Sequence, residues 1–151
     1  MKRAQRMEMV QQVVDDQERR RAETLAASER QVRESERKLA ELEAYLDSYS
    51  RDFKARLGAG MNVQGMRDYQ AFLGKLNEAI RQQTQIVFRV RTQRDAEQKN
   101  WQGAAQRAES VGRLVQRWQA DEQRVVDKRD QAEADERAQR PSHLRMQLSG
   151  A

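Results

Sequence analysis

The chain has no cysteine, one proline and one histidine among its 151 residues. Without cysteine it has neither a disulfide framework nor a thiolate nucleophile, which suits the reducing cytosol. The single histidine, His143, has no cysteine or carboxylate partners at the spacing of metal ligands, so we expect neither a metal nor a cofactor. A glycine-rich phosphate loop is also missing, because Gly58 and Gly60 follow no strand pattern.

Long apolar runs are absent as well. No stretch of about 18 apolar residues could form a transmembrane helix. The N-terminal segment is rich in charged residues and lacks the apolar core of a signal peptide. We therefore expect a cytoplasmic protein that does not insert into a membrane.

The charged residues are numerous and mixed in sign. Lysine and arginine number 29, aspartate and glutamate 24, and the net charge is +5. A basic chain can bind nucleic acid, but here no dense cationic block could follow a phosphate backbone. A solvated helix surface is the simpler interpretation, and nucleic acid is not an expected partner. With charged residues at 35%, the composition is typical of long helices or of disorder, and periodicity must decide between them.

Apolar residues recur at alternating spacings of three and four from Val14 to Phe53, which predicts a first helix over residues 3–57. We use the term seam for the a and d positions of this heptad pattern in either helix. In the first helix the seam consists of Val14, Glu18, Arg21, Leu25, Ser28, Val32, Ser35, Leu39, Leu42, Leu46, Tyr49 and Phe53. It is continuously apolar only from Leu39 onward, so we expect tighter packing near the end of this helix.

A turn is predicted at residues 58–61. Gly58 suits the left-handed position that ends many helices. Asn62 can cap the next helix, because its side-chain oxygen accepts from amides of the first turn. Met61 and Met66 occupy the positions of a hydrophobic staple.

A second, longer helix is predicted over residues 62–140. Its seam consists of Tyr69, Leu73, Leu76, Ile80, Gln83, Val87, Val90, Arg94, Glu97, Trp101, Ala104, Ala108, Val111, Val115, Trp118, Glu122, Val125, Arg129, Ala132 and Glu136. One frame held over so many heptads favours a coiled coil over disorder. Pro141 is expected to end the helix, with residues 141–151 as a flexible tail.

The short link makes the two helices antiparallel. The predicted fold class is therefore all-α, a long two-helix antiparallel coiled-coil hairpin. Folding about the turn places Leu39 opposite Ile80, and Arg21 close enough to Glu97 for an ion pair. The first helix runs out opposite about Trp118, so residues 119–140 are either a frayed end or an element that docks on another protein.

No catalytic role is expected for this fold. Carboxylate pairs such as Asp15–Asp16 are expected on solvated helix faces, outside any pocket that could suit them to acid–base work. Two helices side by side enclose no substrate-sized cleft. The chain is predicted to be a non-enzymatic binding protein.

One aromatic residue stands outside the seam. Phe72 precedes the seam residue Leu73, and it forms an apolar strip with Leu76, Ala79 and Gln83. Such a strip beside the seam is either packing over the flank of the hairpin or a surface on which a partner docks.

The second helix resembles a stretch of the flagellar type III export family FliJ, with the pattern YQ-x-F…L…AI…Q. The matching residues are Tyr69, Gln70, Phe72, Leu73, Leu76, Ala79, Ile80, Gln82 and Gln83. Leu42, Tyr45 and Tyr49 resemble a further pattern of the family, Trp101 and Leu114 match its W…L spacing, and Asp135-Glu136-Arg137-Ala138 resembles its DE-x-A motif. The chain departs from the family at Asp68, where asparagine is common, and at Gln83, where a histidine can occur.

The resemblance implies a coiled coil similar to the central stalk of rotary ATPases. It implies three partners: the hexameric ring of the flagellar export ATPase, the cytoplasmic domain of the export gate, and export chaperones. Energy from ATP hydrolysis and proton motive force would then be coupled to subunit export, and so to motility and chemotaxis. The chain would lie in the cytoplasm, associated peripherally with the inner membrane at the flagellar base.

The resemblance also implies binding residues. The gate surface maps onto the strip of Phe72, Leu76, Ala79 and Gln83. The ATPase contact would involve the chain ends and the uncovered part of the second helix, and its candidate residues are Val125, Ala132, Asp135 and Glu136.

Three other functions remain open on the sequence alone. The chain could be the equivalent stalk protein of an injectisome, although the Tyr-Gln-x-Phe stretch favours the flagellar branch. It could be a basic coiled coil that binds nucleic acid, in which case binding would weaken steeply with salt. It could also be a generic coiled-coil scaffold.

Overall fold

The computed structural model describes residues 3–149, and it describes side chains for residues 3–140. Two helices make up this part of the chain: α1 spans Arg3–Ala59 and α2 spans Val63–Ser149. The predicted fold class is confirmed, because the two helices pack against each other and the described residues contain no strand. No helix in that part of the chain carries an apolar stretch long enough to cross a bilayer.

The boundaries differ from the prediction at three points. α1 ends two residues later than expected, at Ala59, and α2 begins at Val63. α2 also continues through Pro141 to Ser149. Proline removes one backbone donor, and on an uncovered helix water can satisfy the carbonyl that this leaves free. Residues 150 and 151, and the side chains from residue 141 on, including His143, lie outside the described residues.

The turn depends on Gly60 and not on Gly58. Gly60 has a φ of 95° and its amide donates to the Leu57 carbonyl oxygen at 3.2 Å. Gly58 remains within α1. Asn62 caps α2 as expected: its Oδ1 accepts from the amide of Gly65 at 2.8 Å. The left-handed position therefore lies two residues beyond the one that the sequence suggested.

Alanine substitutions at the two glycines should have opposite effects. Gly60→Ala should lower the free energy of unfolding by about 1–2 kcal/mol, because a Cβ disfavours the left-handed conformation. Gly58→Ala should raise it by up to about 1 kcal/mol through helix propensity, because nothing lies within 4 Å of the added Cβ. Urea unfolding followed by circular dichroism measures both, and effects of the same sign would contradict this assignment of the turn.

Backbone contacts divide the chain into two compact units, and each is described separately. The turn unit is Glu18–Ala104, and the end unit is Met1–Gln17 together with Ala105–Ala151. The buried residues of the turn unit are Ser28, Val32, Leu76, Val87 and Ala104. No large side chain among the described residues is fully buried, because a single partner helix can cover only one side of a seam.

Hydrogen bonds between the helices of the turn unit set its register. Three of them run from Tyr69 Oη to Ser50 Oγ (3.5 Å), from Gln83 Nε2 to the Ser35 carbonyl oxygen (3.0 Å) and from Trp101 Nε1 to Glu18 Oε1 (2.8 Å). In each pair the two residue numbers add to 118 or 119. This is the antiparallel register predicted from the sequence, in which Leu39 lies opposite Ile80.

The end unit holds the start of α1 against α2. Ala4 and Val115 are its buried apolar residues. Gln11 Nε2 donates to the Ala108 carbonyl oxygen at 3.3 Å, and the Arg3 guanidinium lies 4.0 Å from the centre of the Trp118 ring. All the residues from 127 to 140 are exposed, so this part of α2 is a single helix without cover from α1.

Candidate binding surfaces

Five aromatic side chains form a cluster in the turn unit, close to the turn. Phe53 stacks on Tyr69 with ring centres 3.5 Å apart, and Tyr69 stacks on Tyr49 at 4.9 Å. Phe72 lies 4.5 Å from Tyr49 and 5.9 Å from Tyr45. The heptad pattern brings these rings together, because Tyr49, Phe53 and Tyr69 are seam positions on facing helices.

Of the two alternatives left open for Phe72, its ring contacts agree with packing over the flank of the hairpin. Its ring is half-buried between α2 and two tyrosines of α1. A phenyl ring on the flank of the seam is long enough to reach across to the facing helix, and the tyrosines supply an apolar surface there. Phe72 therefore contributes to the stability of the hairpin.

The rest of the predicted gate strip is also engaged within the turn unit. Leu76 is only 6% exposed, and Ala79 is half-buried. Gln83 is half-buried and donates to the Ser35 carbonyl oxygen on α1. The exposed side of this region belongs instead to Tyr45, whose side chain is 52% exposed.

Ten of the predicted seam residues between Leu39 and Trp101 are at least half-buried. Val87 is buried, and the others are half-buried: Leu39, Leu42, Leu46, Tyr49, Phe53, Tyr69, Leu73, Ile80 and Trp101. Arg91, which lies outside the seam, pairs with Glu36 of α1 at 3.0 Å. The hairpin therefore combines an apolar seam with polar links along its flank.

The expected ion pair between Arg21 and Glu97 is not formed. Arg21 is exposed, and Glu97 Oε1 accepts from Gln93 one helical turn away, while its Oε2 is buried without a partner in the described part of the chain. Local partners on the same helix cost less side-chain entropy than a partner on the facing helix. The predicted register agrees with the hydrogen bonds between the helices. Register alone, however, does not predict which partner each side chain takes.

The candidate ATPase residues lie in the end unit and are all exposed. They are Val125, Ala132, Asp135 and Glu136. Val125 was assigned to the seam, but it is 65% exposed and its neighbour Val126 is half-buried instead. The helix drifts from the strict heptad repeat, and beyond the start of α1 no facing helix corrects this drift.

Ion pairs along the uncovered part of α2 are local. Arg137 pairs with Glu133 and Arg140 with Glu136, each one turn apart. A similar exposed pair on α1 joins Arg37 to Glu34, and its hydrogen bond lowers the pKa of the Glu34 carboxyl. Such pairs support a helix that has little apolar packing.

Two exposed apolar features were not predicted from the sequence. Met9, Val10 and Val13 of the end unit are all exposed, on the side of α1 away from its buried residues. In the turn unit, Phe88 is 71% exposed. The signal for Phe88 was present, since its heptad position, one residue after Val87 and two before the next seam residue Val90, lies on the outer side of the helix.

The described residues contain no group of three or more histidine, cysteine or acidic side chains that could hold a metal ion. The cleft beside Phe53 and Tyr69 measures about 180 Å³, and a groove lined by Ala27, Arg30 and Val90 measures about 560 Å³. Small-molecule sites are concave and usually measure roughly 300–1,000 Å³, whereas this groove lies open on the surface of the turn unit.

Comparison with known proteins gives one match. A family model described as "Flagellar FliJ protein" matches residues 1–147. No curated protein and no solved structure is significantly similar to the chain. The match extends over both units and includes every candidate binding residue named above.

Proposed function

Since the chain belongs to the FliJ family of flagellar proteins, we propose that it acts as a stalk in the flagellar type III export apparatus. The family is a non-catalytic component of that apparatus, and the chain is accordingly a coiled-coil component of flagellar protein export. We further propose that the chain lies in the cytoplasm at the flagellar base, with one end of the hairpin in the export ATPase ring.

The main support for this proposal is the part of α2 that α1 does not cover. Residues 127–140 form a helix with no facing helix, and long single helices are usually stabilised by packing against something else. In the same unit, Met9, Val10 and Val13 expose apolar side chains on α1. An exposed length of helix in a unit that also exposes apolar groups supports insertion into the channel of a ring, with Val125, Ala132, Asp135 and Glu136 among the contacts.

The contact with the export gate is proposed for the turn unit. Phe72, Ala79 and Gln83 are only half-buried, and Tyr45 beside Phe72 is largely exposed. A partner could therefore contact the exposed edges of these side chains. Leu76, which is buried, would support the shape of this surface without contacting the partner. Export chaperones are proposed as further partners through the family.

Titration of the purified chain against the purified export ATPase tests the stalk role. We expect one chain to bind six ATPase subunits, because a central stalk occupies the axis of a hexamer only once. Light scattering after size-exclusion chromatography measures this ratio, and titration against the gate cytoplasmic domain serves as the second arm. Six chains per hexamer, or no binding to either protein, would contradict the proposal.

A further inference from the structure

The end of the hairpin at the turn exposes several apolar side chains to solvent. We call residues 54–67 the hairpin tip. Three aliphatic side chains are exposed there: Leu57 at the end of α1, and Val63 and Met66 in the first turn of α2. A Cβ built at Gly58 or Gly60 would meet no atom within 4 Å, so the turn itself is open, whereas at Gly65 it would meet the Met61 side chain at 2.9 Å.

The tip is also cationic. Residues 54–67 contain three basic side chains, Lys54, Arg56 and Arg67, and no acidic one, while Asp52 and Asp68 lie just outside this range. Asp52 is held by Arg56 at 3.3 Å, and Arg51 is held by Asp47 at 2.9 Å. Within the described residues, Lys54 and Arg67 have no ion-pair partner. Positive charge without an ion-pair partner therefore lies beside the exposed apolar groups, which favours an anionic partner for this surface.

The size of the tip favours a bilayer over a protein. It contains 14 residues, whereas a stable protein interface takes about 20–30 residues on each side. A bilayer surface needs no complementary pocket, and it is bound by exposed apolar groups together with cations that attract anionic headgroups. The exposed side chains of the tip are flexible or aliphatic, which suits a contact at headgroup level.

We propose that the hairpin tip docks on an anionic membrane surface. Leu57, Val63 and Met66 enter the headgroup region, and Lys54 and Arg67 lie beside lipid phosphates. No part of the chain crosses the bilayer. The inference goes beyond the role in export and does not depend on it. It gives the chain its own means of reaching the membrane, in addition to contacts with other proteins.

Vesicle flotation with the full-length chain tests the proposal. The probes are vesicles of phosphatidylcholine with one quarter phosphatidylglycerol, and vesicles of phosphatidylcholine alone. We expect weak binding to the anionic vesicles that falls with added salt, and little binding to the neutral ones. The double reversal Lys54→Glu with Arg67→Glu should lower partitioning at least about tenfold, and Val63→Ser with Leu57→Ser should also lower it.

Matched variants in the same unit provide the control. Arg89→Glu with Lys99→Glu reverses two exposed charges that lack ion-pair partners in the described residues, and Phe88→Ser removes a larger exposed apolar group. These variants should bind vesicles like the unmodified chain, and all variants should keep its melting temperature. The proposal is overturned if the unmodified chain does not bind anionic vesicles, or if control and tip variants lose binding equally. It is also overturned if the tip variants lose only binding to the gate domain, because the tip is then a protein contact.

Discussion

Replacing Tyr69 with alanine should lower the free energy of unfolding by about 3 kcal/mol. Its ring stacks on Phe53 at 3.5 Å and on Tyr49 at 4.9 Å, and its hydroxyl donates to Ser50 Oγ. Truncation of a large aromatic in a core costs about 3–5 kcal/mol, and aromatic pairs contribute about 0.5–1.5 kcal/mol beyond their burial. The lower end of that range applies because Tyr69 is only half-buried.

Urea unfolding followed by circular dichroism measures this loss, with Phe88→Ala as the control. Phe88 is an aromatic on the same helix and in the same unit, but it is largely exposed, so its removal should change the stability by no more than about 0.5 kcal/mol. Tyr69→Phe keeps the stack and should cost no more than about 1 kcal/mol, the contribution of one long hydrogen bond. A loss at Phe88 equal to that at Tyr69 would show that the cluster is not the main source of stability near the turn.

Removing the chain after Val126 should weaken binding to the export ATPase ring at least tenfold while leaving the hairpin intact. Every residue from 127 to 140 is exposed, so the truncation removes no packing against α1. Val126 is retained because it is half-buried. We expect a melting temperature close to that of the full chain and an affinity for the ring reduced at least tenfold. Calorimetric titration against the assembled ATPase measures the affinity.

A second variant separates the loss of particular contacts from the loss of length. Asp135→Arg with Glu136→Arg keeps the full chain and reverses two of the exposed charges proposed to face the ring. If these charges make the contact, the variant should bind as poorly as the truncated chain. If the truncated chain keeps full affinity, the ATPase contact lies on another surface. The exposed group of Met9, Val10 and Val13 is then the next candidate.

The sequence predicted the register of the hairpin because register depends on a pattern repeated over many heptads. An error at one seam position, such as Val125, leaves the other positions to fix the alignment of Leu39 with Ile80. The cap at Asn62 was equally predictable, since it depends on the chemistry of one side chain and its own helix. Local rules and long periodic patterns were therefore sufficient for the fold.

The candidate surfaces were harder to predict because they depend on how individual side chains orient. Phe72 was placed outside the seam by its heptad position, but the tyrosines of α1 lie within reach and it packs on them. The choice between Gly58 and Gly60 depended on a single φ angle, since both residues suit the end of a helix. The continuation of α2 past Pro141 shows that proline weakens a helix without always ending it.

The hydrogen bonds between the helices span very different lengths of chain. The bond from Tyr69 to Ser50 joins residues 19 apart, whereas the bonds of Gln83, Trp101 and Gln11 close loops of 48, 83 and 97 residues. The entropy lost on closing a loop grows with its length, so the pairing near the aromatic cluster is the least costly to form first. Each pair then shortens the loop that the next pair must close. We therefore expect the hairpin to form from its turn toward its ends, with the aromatic stacking at the place where that process begins.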